Sequence, residues 1–294
     1  MSFYVPRPGE VLSHDIADYP EGIVLPIDKP YRWTSADVIR KLKWKAIRHF
    51  EKKNLKVGHA GTLDPLATGI LLVCIGDACK KAQQLQDHDK EYIAGIRFGA
   101  TTPSYDLEKD VDRRFPHEHI TEEAVRSALP PFLGEQEQVA PLFSAKSVDG
   151  VRAYELARKL YRQQHSGAVI PGSDRESQFD ATALETLQRN RINISGLELL
   201  SFSTTTPATP AEASVSAASS RINVADTSAL GLPEACVRIA CSKGTYIRAF
   251  ARDLGEALGS GAHLSGLIRS RSGDFGLKDA LSLEQALALF QGNC

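Results

Sequence analysis

Apolar residues alternate with polar ones in some stretches of the chain and recur at helical spacing in others. The segment GIVLPIDKP, residues 22–30, alternates like a short strand and stops at a proline. The following TSADVIRKLKWKAI opens with Thr34 or Ser35 as a possible N-cap, and apolar residues then recur every three to four positions. This pattern predicts a helix over residues 34–47. Its inner stripe is expected to be Val38, Ile39, Leu42 and Ile47.

The same two patterns predict several further elements. They are strands at 91–102 and 192–202, a strand followed by a helix at 234–258, a capped helix at 121–135 halted by Pro130 and Pro131, and a basic helix at 150–164. Strands and helices are interspersed without a regular βαβ repeat. This order favours an α+β domain with a mixed, mostly antiparallel sheet flanked by helices.

Two segments have the composition of insertions. Residues 166–190 are polar and irregular, and residues 203–233 are rich in Ser, Thr, Ala and Pro. Because the second segment lies between two strand-like runs, we expect a long, mobile hairpin connection there. We expect neither segment to carry chemistry.

The composition is that of an ordinary soluble globular protein. With 294 residues, 42% of them apolar and 24% charged, the chain can bury a full-sized core. No apolar run approaches the roughly 20 residues of a membrane span, and the N-terminus lacks the order of a signal peptide. We therefore expect a single domain over residues 1–294, in the cytoplasm and without membrane contact.

The five cysteines are too few and too scattered for a disulfide framework in a chain of this length. Two pairs share a C-x4-C spacing, Cys74 with Cys79 and Cys236 with Cys241. An odd offset along a strand points the two sulfurs to opposite faces, which argues against a zinc site. We expect free thiols and no bound metal.

The formal net charge of −1 is unevenly distributed. Most of the surplus positive charge lies in residues 40–56, whereas residues 106–123 are acid-rich. The basic stretch fits a nucleic-acid footprint, because each neutralised phosphate releases counterions whatever distant acids do. The solvated face of an amphipathic helix would account for the same residues, and both interpretations can hold together.

One acidic residue, Asp64, stands between a Gly-rich turn and a long apolar run, in VGHAGTLDPLATGILLVCIG. Gly61 and Pro65 restrict the turn, and the apolar run places the carboxylate at the edge of the core. There it needs a partner, or its pKa will rise. A simple N-cap or Asx-turn acid would have the same surroundings. Candidate partners are Arg248, with Lys243 and Tyr246 beside it, and His59, but spacing alone does not choose among them.

Several blocks together resemble one known family. GHAGTLDPLATGILLVCIGDACK, DKEYIAGIRFG, APLFSAKSVDGVRAYELAR and CSKGTYIRAFARDLGEALGSGAHLSGLIRSRSG follow an early DKP and precede a late LSLEQAL. This is the order found in the TruB type of tRNA pseudouridine synthase. The blocks span residues 22–290 outside the two insertions. The combination of G-H-x-G-x-L-D-P-x-A-x-G with K-G-T-Y-I-R is highly specific for that family.

The resemblance implies a pseudouridine synthase fold with its active-site cleft on the sheet. It also implies isomerisation of uridine 55 in the T-arm of tRNA, by detaching the base, turning it and rejoining it through carbon, without cofactor or metal. Asp64 matches the catalytic aspartate of the family, and both attack on the ribose and elimination across it remain open. The uridine has to be flipped out of a folded loop, which costs a few kcal/mol.

Further roles follow from the same resemblance. Tyr92 matches the tyrosine that stacks on the flipped base, with a core strand aromatic as the alternative. Arg248 matches the arginine that pairs with the aspartate and keeps it anionic. The remaining matches are Tyr246 and Leu267 at the pocket wall, His59 beside the extruded stem-loop, and Lys29 with Pro30 at the floor of the active site.

Residues 141–164 match the RNA-gripping segment of the family. Its expected phosphate contacts are Lys146, Arg152, Arg158 and Lys159, although any of them could simply solvate a helix. The expected partner is therefore the T stem-loop of tRNA. No protein partner is implied, and we expect a monomer.

The sequence departs from the family pattern at two places. In GATTPSYDLE, Pro103 replaces a usual acidic residue while Asp106 remains as the later one, so an RNA contact from the first position is in doubt. The sequence also stops soon after LSLEQALALFQ, where many relatives continue into a PUA-type RNA-binding domain. We expect that domain to be absent.

Other functions would fit part of the pattern. A non-catalytic tRNA-folding chaperone would need the same grip, but the intact set of Asp64, Tyr92 and Arg248 argues against lost catalysis. A guide-RNA-dependent relative would be expected to need the PUA domain. A retaining glycosidase requires two neighbouring carboxylates, and only Asp64 has motif support.

Overall fold

A computed structural model describes residues 3–141, 147–148, 151–152, 189–205 and 222–290. The described helices are α1 (Ser35–His49), α2 (Ala82–Asp87), α3 (Glu122–Ala128), α4 (Ile247–Ala257) and α5 (Leu283–Ala288). The described strands are β1 (Ile23–Lys29), β2 (Val57–His59), β3 (Ala67–Ile75), β4 (Lys90–Phe98), β5 (Ala100–Thr101), β6 (Arg113–Arg114), β7 (Gly134–Val139), β8 (Ser147–Val148), β9 (Val151–Arg152), β10 (Arg189–Ser203), β11 (Glu234–Cys241), β12 (Ala262–Ser272) and β13 (Phe275–Gly276).

Nine strands form one large sheet in the order β1-β3-β12-β4-β11-β10-β7, with β2 beside β3 and β13 beside β12. Among the described strands, only β3 and β12 pair in parallel, with Leu267 opposite Ala67 and Arg269 opposite Gly69. The other pairings in this sheet are antiparallel. The predicted α+β class with a mixed, mostly antiparallel sheet is therefore confirmed.

Strand β3 lies inside the protein and is covered on both faces. Leu71, Val73 and Ile75 belong to the main core, which also contains the buried face of α1. Ile70 and Leu72 point the other way, into a smaller cluster under residues 76–87. Burial of both faces explains the unbroken apolar sequence, which gives no period-2 signal by which a strand is recognised.

Helix α1 forms where its pattern predicts. Thr34 is the N-cap: its hydroxyl accepts a hydrogen bond from the Asp37 amide at 3.0 Å, and the Asp37 carboxylate accepts one from the Thr34 amide at 3.2 Å. This capping box fixes the start of the helix. The predicted inner stripe is confirmed, with Val38 and Leu42 buried and the two isoleucines packed against the core.

The predicted helix and strand boundaries hold in part. Thr121 caps α3, which ends at Ala128 before the two prolines, as expected. The predicted strand 91–102 is instead broken at Gly99, which has φ of +95°. A Cβ at Gly99 would lie 2.8 Å from the ring of His117, so the chain turns where only glycine fits.

Both predicted insertions are shorter than expected. Strand β10 begins at Arg189, which pairs with Val139, so residues 189–190 belong to the sheet. In the second segment, residues 222–233 are packed on the domain: the Ala225 amide donates to the Leu107 carbonyl at 2.8 Å, and Thr227 is buried. The expectation of a mobile connection is therefore wrong for residues 222–233. Residues 206–221 lie outside the described part of the chain.

The predicted basic helix 150–164 is wrong at its start. Val151–Arg152 is a strand that pairs with Ser147–Val148. The Asp-Gly dipeptide between these two strands in the sequence is typical of a two-residue hairpin, and this local preference outweighs the helical pattern. The rest of that predicted helix lies outside the described residues.

The structure also describes most of the cysteines, the possible metal ligands and the helices of the chain. Cys74, Cys79, Cys236 and Cys241 are free thiols. Within the described ranges, no group of three or more His, Cys, Asp and Glu side chains is placed to hold a metal ion. Among these ranges, no helix has both the length and the apolar character needed to cross a membrane.

Candidate active site

Asp64 lies in the loop that joins β2 to β3, and the five carbonyl groups of residues 61–65 all accept a hydrogen bond. Arg269 donates to the carbonyls of Gly61 (Nη2, 3.1 Å) and Thr62 (Nη1, 3.4 Å). The carbonyls of Leu63, Asp64 and Pro65 accept from the Ser35 hydroxyl, the Ala67 amide and Lys29 Nζ, each at 3.1 Å. A backbone paired at each carbonyl has little freedom to move. The loop therefore presents the Asp64 side chain in a fixed position.

Lys29, at the end of β1, is one of the side chains that hold this loop. It is fully buried, and its ammonium also donates to the carbonyls of Pro30 at 2.9 Å and Trp33 at 2.5 Å. Burial lowers the pKa of Lys29 to about 7, while the nearby Asp64 carboxylate acts in the opposite direction. Its three donors are all used, so it supports the floor of the site and faces no open space.

Arg269, on β12, is the second buried cation under the loop, and sequence reasoning did not single it out. Its Nε donates to the Ile70 carbonyl at 2.6 Å, in addition to the two loop carbonyls. Burial raises the pKa of the Tyr92 hydroxyl, and the nearby Arg269 opposes that shift. The sequence contains one indirect signal, the glycine at position 69, which pairs with Arg269 in the sheet. Gly69 has φ of +93°, and a Cβ there would lie 2.3 Å from the Arg269 carbonyl oxygen.

Arg248 and Asp64 meet, as the family motif implies. Arg248 is buried at the start of α4, and its Nε and Nη2 donate to Asp64 Oδ2 and Oδ1 at 2.9 and 3.1 Å. Two parallel bonds of this kind form the strong bidentate pair of arginine with carboxylate. Burial alone would lower the pKa of Arg248, but the carboxylates of Asp64 and Asp106 raise it above its ordinary value.

Asp106 is a second carboxylate at the same guanidinium. Its Oδ2 lies 3.8 Å from Arg248 Nε, and its Oδ1 accepts hydrogen bonds from the Ser104 hydroxyl at 2.6 Å and the Glu108 amide at 2.9 Å. Burial raises the pKa of Asp106, with Arg248 opposing that shift. From the sequence, Asp106 was only the surviving acid of an altered motif. The structure places it inside the site.

A small pocket, open to solvent, lies in front of this charged group. Its lining includes Asp64, Arg248, Asp106 and the apolar side chains of Leu66, Leu107 and Leu267. Charged groups at one side and apolar surface at the other suit a flat, partly polar ring. The predicted wall position Leu267 is therefore part of the pocket.

Three other predicted residues lie near the pocket without lining it. Tyr92 is only 9% exposed and packs in the main core, where burial raises the pKa of its hydroxyl. Tyr246 is the N-cap of α4, and its backbone is clamped by the Gln138 side chain at 2.8 and 3.1 Å. His59 lies in β2 opposite Val73, and burial lowers its pKa.

Most of the predicted RNA-gripping residues lie in parts of the chain that the structure does not describe. Lys146, Arg158 and Lys159 lie outside the described residues. Arg152 is in the short strand β9. Their proposed phosphate contacts stay predictions from the sequence.

The chain matches a family model and many named relatives. The model of the N-terminal domain of the TruB family pseudouridylate synthases matches residues 47–195. A tRNA pseudouridine synthase B of Phocaeicola vulgatus is 46% identical over 267 residues, which cover 91% of this chain and 92% of that protein. The protein of the same name from Flavobacterium johnsoniae is 40% identical, over 90% of this chain and 95% of its own length.

Solved structures of similar fold come from larger assemblies. A chain of a Cbf5-Nop10-Gar1 complex has a TM-score of 0.55 at 22% identity, and the match covers 96% of this chain and 59% of that one. A chain of an H/ACA RNP bound to a substrate RNA has a TM-score of 0.51 at 22% identity, covering 90% of this chain and 51% of its own. This chain thus spans between half and three-fifths of those solved chains, and at such identity the likeness shows the fold alone. The curated relatives, matched over about nine-tenths of both lengths, are decisive: the chain belongs to the TruB family of pseudouridylate synthases.

Proposed function

We propose that this protein is a tRNA pseudouridine synthase, an isomerase that converts uridine 55 in the T-arm of tRNA to pseudouridine. The observation that carries the proposal is the carboxylate of Asp64, presented at a pocket by a fully hydrogen-bonded loop and held by a bidentate pair with Arg248. The relatives named tRNA pseudouridine synthase B supply the substrate class. The position within the tRNA rests on the motif resemblance.

The reaction needs an anionic group beside the ribose of the flipped nucleotide. The glycosidic C1′–N1 bond breaks, the uracil turns, C5 of the base bonds to C1′, and the proton on C5 is lost while N1 gains one, so the product is an isomer of uridine. A carboxylate can attack C1′ or take a ribose proton to start elimination, and either role requires its ionised form. Arg248 favours that form, while the second lone pairs of the two Asp64 oxygens remain for the substrate.

We assign supporting roles to the neighbours of Asp64. Leu267 packs against the flipped base, Tyr246 shapes the start of the helix that carries Arg248, and His59 lies along the path by which the stem-loop enters. Tyr92 stacks on the base, which requires the pocket to widen toward the sheet, because its ring is almost covered. Lys29 and Arg269 are positioning residues that act through the loop.

The RNA partner in this proposal is the T stem-loop, with Lys146, Arg152, Arg158 and Lys159 at its phosphates. The protein acts without guide RNA or protein partner, as a monomer in the cytoplasm. A non-catalytic tRNA chaperone is the competing function. It would refold tRNA without changing any base.

The deciding experiment incubates the purified protein with an unmodified tRNA transcript and maps pseudouridine. We expect modification at position 55 and its loss in Asp64→Asn, with RNA affinity within a few-fold of wild type because shape and gripping surface are kept. Asp110→Asn, which makes the same change at an exposed acid, should leave the rate unchanged. Unmodified RNA from the wild-type protein would refute the enzyme. Turnover by Asp64→Asn above about one percent of wild type would remove Asp64 from the catalytic role.

A further inference from the structure

A basic groove lies at the other end of β3 from Asp64. Lys43 of α1 forms one wall, and Lys53, Asn54 and Lys56 of the segment leading into β2 form the other. We call it the α1 groove. It opens broadly to solvent, and three lysines from two chain segments converge on it. An extended polymer backbone can therefore reach these lysines.

The charge around the α1 groove is almost entirely positive. Residues 40–56 contain eight Lys and Arg residues and one acid, Glu51, in a chain whose total charge is −1. Lys43, Lys53 and Lys56 are exposed, and none forms an ion pair with another described residue. Nearby, the pKa of Asp77 is lowered first by its hydrogen bond from Lys80 and further by Lys52 and Lys56. The surface thus holds several cations whose charge is left for a partner.

An aromatic side chain stands on the same helix. Trp44 is 57% exposed, although a buried position is the usual place for so large an apolar ring. The guanidinium of Arg48 lies 4.6 Å from the centre of its ring. Surfaces that bind nucleic acid combine lysines and arginines with exposed aromatic faces on which sugars and bases rest.

The α1 groove is too far from Asp64 to touch the target nucleotide. Gly58 at the groove pairs with Cys74, whereas Ala67 at the other end of β3 is bonded to the Asp64 carbonyl. Seven residues of extended strand span about 23 Å at roughly 3.3 Å each, and the six residues from Gly58 to Asp64 limit the separation of these two residues to at most about 20 Å. The groove is therefore well away from the chemistry.

We propose that the α1 groove binds the phosphate backbone of the substrate tRNA beyond the T-arm hairpin that carries the target uridine. The inference rests on the proposed function for the identity of the RNA. Unpaired lysines around a wide groove suit regularly spaced phosphates, and such contacts add affinity and orientation without reading sequence. The groove lowers KM for tRNA and does not act in the chemical step.

The test compares wild type with the triple variant Lys43→Gln, Lys53→Gln, Lys56→Gln on a full-length tRNA transcript and on the isolated T-arm hairpin. We expect KM for full-length tRNA to rise at least about tenfold, and the salt dependence of binding to flatten by up to about three units in log-log slope. The hairpin should lose less than about threefold, and kcat on both RNAs should stay within about twofold. Trp44→Ala should weaken binding without changing the salt slope.

The control removes three cations elsewhere, the exposed Arg126 and Lys278 and the half-buried Arg238, as Arg126→Gln, Arg238→Gln and Lys278→Gln. If this control weakens tRNA binding as much as the groove variant does, only total charge matters and the proposal fails. An unchanged KM and an unchanged salt slope in the groove variant would also overturn the proposal. The groove would then bind an anionic partner other than tRNA. If the wild-type protein binds tRNA but forms no pseudouridine, the proposed enzymatic function fails. The proposed role of the groove would still be tested by direct measurement of tRNA binding.

Discussion

Replacement of Arg248 by methionine isolates the pair that defines the site. The change keeps an apolar side chain of similar reach and removes the guanidinium that faces both Asp64 and Asp106. Three acceptors then lose their donor, since Arg248 Nη1 also bonds the Ser104 carbonyl at 3.0 Å. Because no cation replaces Arg248 at this position, both carboxylates should bind protons more readily than before.

The expected size of the effect differs between the two acids. Two unit charges about 4 Å apart attract by about 4 kcal/mol at an effective dielectric of 20. The Asp64 side chain is 36% exposed, so solvent screening leaves roughly 1.5 kcal/mol of that attraction between Asp64 and Arg248. Asp106 is buried, and burial already raises its pKa, so loss of the opposing Arg248 should raise it further. Breaking the buried pair should cost about 3 kcal/mol of folding free energy.

The assay is single-turnover pseudouridine formation between pH 5 and 9, with urea unfolding alongside. Removal of the neighbouring cation disfavours the ionised carboxylate, so the acid limb of the profile should move to higher pH. Arg252→Met is the matched control. Arg252 lies one turn along α4 and bonds Asp253 and the Val139 carbonyl, away from Asp64. An unmoved acid limb in a folded Arg248→Met protein would show that Arg248 does not set the ionisation of Asp64.

Two further substitutions test the packing under the site. Gly69→Ala should destabilise the protein by more than about 3 kcal/mol or prevent folding, because φ at Gly69 is positive and a Cβ there would lie 2.3 Å from the carbonyl oxygen of Arg269. The control Gly196→Ala should be nearly neutral, because the nearest atom to its Cβ would be 3.5 Å away. Equal urea midpoints for the two variants would contradict this prediction. Arg269→Met should lower the free energy of unfolding by about 3 kcal/mol and kcat by at least about tenfold, because the loop carbonyls lose their hydrogen-bond donors. A normal kcat in a destabilised protein would mean that Arg269 contributes to folding and not to the placement of Asp64.

Local patterns predicted the elements whose sequence signals and surroundings agree. Thr34 and Asp37 form the capping box that the start of α1 indicated, and the strand and helix at 234–258 appear as β11 and α4. The family motif brought Asp64 and Arg248 together although 184 positions separate them in the chain. Nothing in periodicity could do that, because a salt bridge across the sheet depends on tertiary packing.

The missing parts have physical causes. Strand β12 was not predicted, because its run of Gly, Ser and Arg residues in HLSGLIRSRSG hides the alternation, and a bulge shifts its register between Leu264 and Gly266. Arg269 was overlooked because a charged residue is normally assigned to the surface, whereas here three backbone carbonyl oxygens accept hydrogen bonds from its buried guanidinium. Asp106 was noticed only as a motif remnant, because its role depends on Arg248.

The buried cations also decide how a loss of activity in Asp64→Asn should be interpreted. Lys29, Arg248 and Arg269 are all buried around one loop, and burial of a cation is unfavourable unless carbonyls or carboxylates compensate it. Carbonyls do so for Lys29 and Arg269, whereas Arg248 depends on Asp64 and Asp106. Asp64 is thus both the reactive group and a counter-ion. A catalytic carboxylate is often replaced with a gain in stability, but here the replacement leaves Arg248 with one carboxylate instead of two. Stability and activity therefore depend on the same charge, and only a folded, tRNA-binding Asp64→Asn protein can assign the lost turnover to chemistry.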